Sequence, residues 1–137
     1  MSDRVFVDTN VFVYLFDRDA PDKRRRARAL IEEEHGRLVL STQVLQEFFV
    51  TVTRKLAKPL PEEEAEAAVR DMAALEVVEV EVGMVLRAIA RGRRHKVSLW
   101  DALIVETALA RGCERLLTED MQHGRQFGAL RVENPFR

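Results

Sequence analysis

The stretch Val5-Phe6-Val7-Asp8-Thr9-Asn10 decides the fold. Its apolar run reads as a strand buried on both faces, the pattern of a parallel sheet. Asp8 then falls at the strand's C-terminal end, where open α/β sheets place their ligands. Working outward, three more acids stand at comparable positions: Glu47 in Gln46-Glu47-Phe48, Asp101 in Trp100-Asp101-Ala102, and Asp120 in Thr118-Glu119-Asp120. Such a set, with no matching cluster of His or Cys, points to a hard divalent cation and to chemistry on a phosphate ester.

Short apolar runs alternate with longer helical patterns along the whole chain. Strands are expected at Arg4–Asp8, Arg37–Leu40, Val77–Val80, Glu114–Leu117 and Ala129–Val132. Helices are expected at about Val11–Phe16, Pro21–Glu34, Thr42–Leu56, Pro61–Leu75, Val82–His95 and Leu99–Ala110. This alternation implies βαβ units and a parallel sheet covered on both faces, an α/β fold. Gly36 and Gly112 punctuate helix ends, and Pro61 sits at a first-turn position. No repeat, low-complexity tract or linker interrupts the pattern, so residues 1–137 read as one domain.

The composition agrees. With 47% apolar and 33% charged residues, the chain has the means to build a core, and disorder is excluded. A net charge of -1 makes any nucleic-acid footprint local rather than global. Cys113 is the single cysteine, which rules out an intrachain disulfide and suits a reducing cytosol. The three-residue run before Asp8 is too short for a secretion signal, and no stretch approaches the ~20 apolar residues of a membrane span. A soluble, cytoplasmic protein is therefore expected.

Each acid has a plain structural alternative. Asp8 is a competent N-cap for the helix that follows. Ser98-Leu99-Trp100-Asp101 has capping-box spacing, so Asp101 stands as a cap partner, as a metal ligand, or as both. The helix beyond it is apolar nearly all round, and a carboxylate sharing a face with Ile104, Val105 and Ala108 needs a partner. Glu47 flanks the side opposite a Leu45, Phe49, Val52 and Leu56 stripe, which makes an exposed glutamate a live alternative. Asp120 lies in an acidic turn where Glu119 competes for any role. The chain holds 23 Asp and Glu residues, so position alone is a weak argument. Chemical uniformity is a stronger one, because clustered carboxylates repel unless a cation joins them.

Other chemistries find little support. His35, His95 and His123 lack paired zinc-ligand spacing, although His123 follows Asp120 closely. There is no Gly-rich phosphate loop, and Cys113 reads as structural. Two basic segments, Lys23 to Arg28 and Arg91 to Lys96, are either phosphate-contacting patches or solvated helix faces. The second leads directly to Ser98 and Asp101.

Taken together, Val7-Asp8-Thr9-Asn10, Gln46-Glu47-Phe48, Ser98-Leu99-Trp100-Asp101-Ala102 and Leu117-Thr118-Glu119-Asp120-Met121-Gln122-His123-Gly124 resemble PIN-domain nucleases, and within them the VapC-type toxin ribonucleases of type II toxin–antitoxin pairs. The closing Glu133-Asn134-Pro135-Phe136 is similar to one branch of that family. The resemblance implies a three-layer α/β/α sandwich and RNA cleavage dependent on Mg²⁺ or Mn²⁺. It maps Asp8, Glu47, Asp101 and Asp120 onto acidic catalytic and metal-ligating positions, with Thr9, Asn10 and Thr118 as polar support. It also implies an RNA substrate, a homodimer and a cognate antitoxin protein.

Rival readings are a haloacid-dehalogenase-like phosphotransferase, a receiver domain and a non-catalytic PIN-like RNA-binding protein. The first resembles Asp-x-Asp at the site, where this chain has Asn10 in the second position. The second needs an acidic pair at the first strand. The third has no use for a full set of acids. A PIN nuclease in RNA processing, outside any toxin role, stays open.

Overall fold

The computed structural model describes residues 3–137. In chain order its elements are β1 (Val5–Val7), α1 (Thr9–Tyr14), α2 (Pro21–Glu33), β2 (Leu38–Ser41), α3 (Thr42–Arg54), α4 (Glu62–Ala73), β3 (Glu76–Val78), α5 (Val82–His95), α6 (Leu99–Ala110), β4 (Arg115–Leu117), β5 (Gln126–Phe127) and β6 (Leu130–Glu133). The strands form one sheet in the order β3-β2-β1-β4-β6-β5. All neighbours are parallel except β5 and β6.

Every residue of β1 and β2 is buried, as central strands covered on both faces require. One group of helices is built by α1 packing on α2 and α3 and by α3 packing on α4. A second is built by α5 packing on α6, which lies along β2 and β6. The result is the α/β/α arrangement with a mostly parallel central sheet that the alternation of patterns predicts.

Strand order fixes where a site can form. From β1 the chain moves outward through β2 to β3, then returns to the other side of β1 with β4 and β6. The order therefore reverses between β1 and β4, and the crevice beyond their carboxyl ends is the topological switch point. Asp8 and Thr118 are the residues that leave those two strands, and the Asp8 amide donates to the Leu117 carbonyl at 3.0 Å.

Two differences from the sequence reading are local. The short strand β5 was not anticipated; it pairs antiparallel through Phe127 and Leu130 across Gly128-Ala129. Gly128 has φ +61°, the left-handed conformation a glycine-first hairpin turn requires. The third strand covers Glu76–Val78 rather than Val77–Val80. There the backbone leaves the ladder and the Val80 amide donates to Thr42 Oγ1 instead. Near the site, Gly92 allows a close approach. A Cβ at this position would stand 3.0 Å from the Val97 carbonyl, so any side chain would push the α5–α6 turn away from α5.

Candidate active site

Asp8 is the N-cap of α1 and 4% exposed. Its Oδ1 accepts from the Thr9 amide at 2.7 Å and its Oδ2 from the Thr118 hydroxyl at 2.7 Å. The capping role and the site role thus coexist in one carboxylate whose two oxygens are both oriented. Burial, opposed by those two hydrogen bonds and reinforced by the charges of Asp120 and Glu47, pushes its pKa up to about 7.

Asp120 is tied to the same strand ends. Its amide donates to Thr118 Oγ1 at 3.1 Å, and its Oδ2 accepts from Asn10 Nδ2 at 3.0 Å. Asn10 Oδ1 in turn accepts from the Glu119 amide at 3.3 Å. Glu119 itself turns elsewhere. The Tyr14 hydroxyl donates to its Oε1, and Lys23 Nζ donates to its Oε2 at 2.5 Å. Burial pushes the Glu119 carboxyl up, but Lys23 and Tyr14 outweigh it and hold the group below its ordinary value.

Glu47 reaches the cluster from α3. Its Oε1 accepts from the Thr9 hydroxyl at 2.8 Å and its Oε2 from Gln43 Nε2 at 3.2 Å. The buried stripe of α3 is Gln43, Val44, Phe48 and Val52, not the Leu45 and Phe49 line the sequence suggests. Glu47 therefore sits one step from the core rather than opposite it. Gln43 also donates to the Trp100 carbonyl at 3.2 Å and so joins α3 to the first turn of α6.

Asp101 lies in that first turn. Ser98 caps the helix, its hydroxyl accepting from the Asp101 amide at 3.1 Å. Burial and the charges of Asp120 and Glu47 raise the Asp101 pKa, against the opposing pull of Ser98. Asp8 and Asp101 thus each feel the charges of Glu47 and Asp120. The groove beside them has a volume of about 710 Å³; Thr9, Asn10, Gln43, Glu47, Trp100 and Asp120 are among its lining residues. Gln43, Gln46, Lys55 and Trp100 are among the groove residues the sequence reading passed over as site members. The Gln43–Glu47 spacing, i to i+4 on one helix, was the one local signal for any of them.

The donor set suits a hard cation. All four side chains offer carboxylate oxygen, and a positive charge would offset the burial that, with smaller contributions from Asp120 and Glu47, raises the Asp8 pKa. Among the described residues, however, no three His, Cys, Asp or Glu side chains are close enough to enclose an ion together. An ion here would bind directly to one or two carboxylates and reach the others through water, the usual habit of Mg²⁺.

The remaining candidates have other duties. His123 Nδ1 accepts from the Asn134 amide at 3.0 Å, bracing the turn before β5. The basic segments are partly engaged within the chain. Lys23 pairs with Glu119, Arg25 with Asp22, and Arg26 Nε donates to the Pro135 carbonyl at 3.0 Å. Arg91 turns inward to the buried Glu106 at 2.5 Å, and Arg87 joins it at 3.4 Å. Arg93, Arg94 and Lys96 are exposed. Cys113 is buried, which pushes its thiol up to about 12 and leaves it inert.

Acids gathered at the switch point of a mostly parallel sheet make a candidate ligand site, and sequence comparison gives the family. The sequence matches the PIN domain family over residues 5–126, and the chain belongs to that family. No curated protein matches the sequence significantly. Several solved structures share the fold. VapC20 of Mycobacterium tuberculosis, described as a sarcin-ricin loop cleaving toxin, is 20% identical, with 82% of this chain and 86% of that chain covered and a TM-score of 0.68. A toxin–antitoxin complex from Klebsiella pneumoniae is 22% identical, with coverages of 96% and 97% and a TM-score of 0.67. DNA-bound VapBC from Salmonella typhimurium is 20% identical, with coverages of 98% and 99% and a TM-score of 0.68.

Proposed function

We propose that this protein is a metal-dependent endoribonuclease that hydrolyses RNA phosphodiester bonds, and that it is the toxin of a toxin–antitoxin pair. The observation that carries the nuclease reading is Asp8: a buried carboxylate at the switch point, near other acids, with both oxygens oriented and no cation among the described residues beside it. Asp8, Glu47, Asp101 and Asp120 would hold Mg²⁺ or Mn²⁺, which when bound makes a water easier to deprotonate and stabilises a leaving oxygen. The chain's own part is orientation. Thr118 and the Thr9 amide fix Asp8, the Thr9 hydroxyl and Gln43 fix Glu47, and Asn10 fixes Asp120. Purified protein should cleave RNA with Mg²⁺ or Mn²⁺ and stop in excess EDTA. Undiminished cleavage in EDTA would sink the metal mechanism.

The toxin reading rests on the fold neighbours named above, a toxin and toxin–antitoxin complexes. The partner would be a small antitoxin whose Arg or Lys neutralises the acidic groove. Expression of the protein alone should slow growth, and co-expression of the adjacent reading frame should restore it. Harmless high-level expression of an RNA-cleaving protein would return it to RNA processing. A homodimer belongs to the same reading. On α5, Val82, Leu86 and Ile89 are 76%, 62% and 46% exposed and recur at helical spacing, an apolar stripe of the kind a second copy covers. Sedimentation as a monomer would remove that part. Among the described residues no helix is long and apolar enough to cross a membrane; a cytoplasmic site of action is proposed with the toxin role.

A further inference from the structure

Trp100 is the only tryptophan in the chain, and it is 62% exposed. A side chain of that size is seldom left so open without a task. Its position is firmly set: it lies in the first turn of α6, one residue before Asp101, and its carbonyl is held by Gln43. Trp100 lines the same groove as Glu47 and Asp120.

The rest of that wall is unusual for a phosphate-binding surface. Lys55 is the one cation lining the groove. The other lining residues are apolar Val13 and Val50, the acids, and hydrogen-bonding groups such as Asn10, Gln43, Gln46 and Thr51. Gln43 is 5% exposed, and among the described residues its Oε1 has no hydrogen-bond partner. A flat aromatic face, apolar walls and amide groups suit a nucleobase better than a charged backbone. Bases present their faces only where they are unpaired.

We propose that Trp100 is a stacking platform for an unpaired base of the RNA. The inference rests on the nuclease reading and adds a base-contacting residue to it. Because no other tryptophan contributes, the emission of the protein reports on this contact alone.

The test has two arms. In the first, Asp8→Asn protein with Mg²⁺ is titrated with a single-stranded RNA oligonucleotide, with its duplex, and with copies carrying one abasic position in turn. The single strand should quench the emission, the duplex should not, and one abasic position should remove the quench. In the second, Trp100→Ala should lower kcat/KM on single-stranded RNA by about five- to a hundredfold, the span expected for one lost base stack, and Trp100→Phe should restore most of it. At so exposed a position the truncated variant should keep its fold, and circular dichroism checks it. Equal quenching by duplex and single strand, or wild-type kinetics in Trp100→Ala, would overturn the proposal. So would a change in the sedimentation of RNA-free Trp100→Ala, which would make the residue a subunit contact. If wild-type protein cleaves no RNA with either metal, the nuclease reading itself falls and the platform with it; cleavage by wild type with no response at Trp100 rejects the platform alone.

Discussion

At the N-terminal edge of the parallel strands, Glu34 and Glu76 each sit between two arginines; at the C-terminal edge, Asp8 and Asp101 sit among other acids. Glu34 accepts from Arg115 at 2.8 Å and Arg37 at 3.1 Å, and Glu76 from Arg111 at 2.7 Å and Arg4 at 2.9 Å. Burial pushes both glutamates up, but the guanidinium groups outweigh it and hold both below their ordinary values. At the other edge burial is met only by amides and hydroxyls, neighbouring acids add to it, and the pKa values rise. Carboxylates that serve the fold are thus compensated inside the chain. Those around the groove are left for a charge that the described residues do not supply, which is the physical basis of the proposed cation.

The sharpest way to break this comparison is to remove charge at the uncompensated edge. Asp8→Asn, Asp101→Asn or Glu47→Gln should each cut RNA cleavage by about a hundredfold or more, the cost of losing one preorganised electrostatic group. Thermal unfolding without divalent metal should show no loss of stability, since each change also removes repulsion. Wild-type cleavage by folded Glu47→Gln would return that residue to an ordinary helix face.

The second test sharpens the contrast through pH. Asp8 carries a folded-state pKa of about 7 against an ordinary 3.8, so the folded protein holds an extra proton between those values. Its contribution to stability is therefore fully present below about pH 4 and is lost as pH rises through 7. In metal-free buffer the wild type should lose up to about 4 kcal/mol relative to Asp8→Asn across that window. Denaturant unfolding of both proteins at pH 5 and pH 8 reads about 3 kcal/mol of it, and parallel pH profiles would show that Asp8 is not the buried, proton-holding group described here.

Removing charge at the compensated edge should do the reverse. Arg115→Met leaves Glu34, whose side chain is 10% exposed, with Arg37 alone. A stability loss of about 2 kcal/mol is expected from the under-satisfied carboxylate, with RNA cleavage unchanged. Loss of cleavage in a stable Arg115→Met protein would show that the two edges are not independent.

How much of this was legible depended on whether the signal was local. β1 announced itself through three apolar residues ending in Asp8, and α6 through an apolar circumference that the structure buries from Ala102 to Ala108. Glu47 was obscure because α3 carries apolar side chains on several faces, so periodicity could not choose between a stripe through Leu45 and Phe49 and the true one through Val44, Phe48 and Val52. Its place is set by Thr9, on another element. The strand β5 has two residues, too few for any pattern. The basic segments looked like free patches because their partners, Glu119 for Lys23 and Glu106 for Arg91, are distant in sequence.

Glu119 and Asp120 pose the same difficulty at the smallest scale, and they supply the last prediction. Adjacent in one acidic turn, they are equivalent by any local rule. The structure separates them by what each touches: Asp120 meets Asn10 and the strand end at Thr118, whereas Glu119 meets Lys23 and Tyr14, which also stacks edge-on against Phe136 at 4.9 Å. Glu119 is thus a compensated acid set beside uncompensated ones, a miniature of the opposite sheet edge. Glu119→Gln keeps a hydrogen-bonding oxygen for Tyr14 and gives up only the ion pair, whose partly exposed members make it worth about 1 kcal/mol or less. Cleavage should stay at the wild-type level, while Asp120→Asn should lose it. The pair of variants, assayed on the same RNA, decides which of the two acids belongs to the site; inactivity of Glu119→Gln with retained activity of Asp120→Asn would exchange their roles and place the charge of the groove on the far side of Asn10.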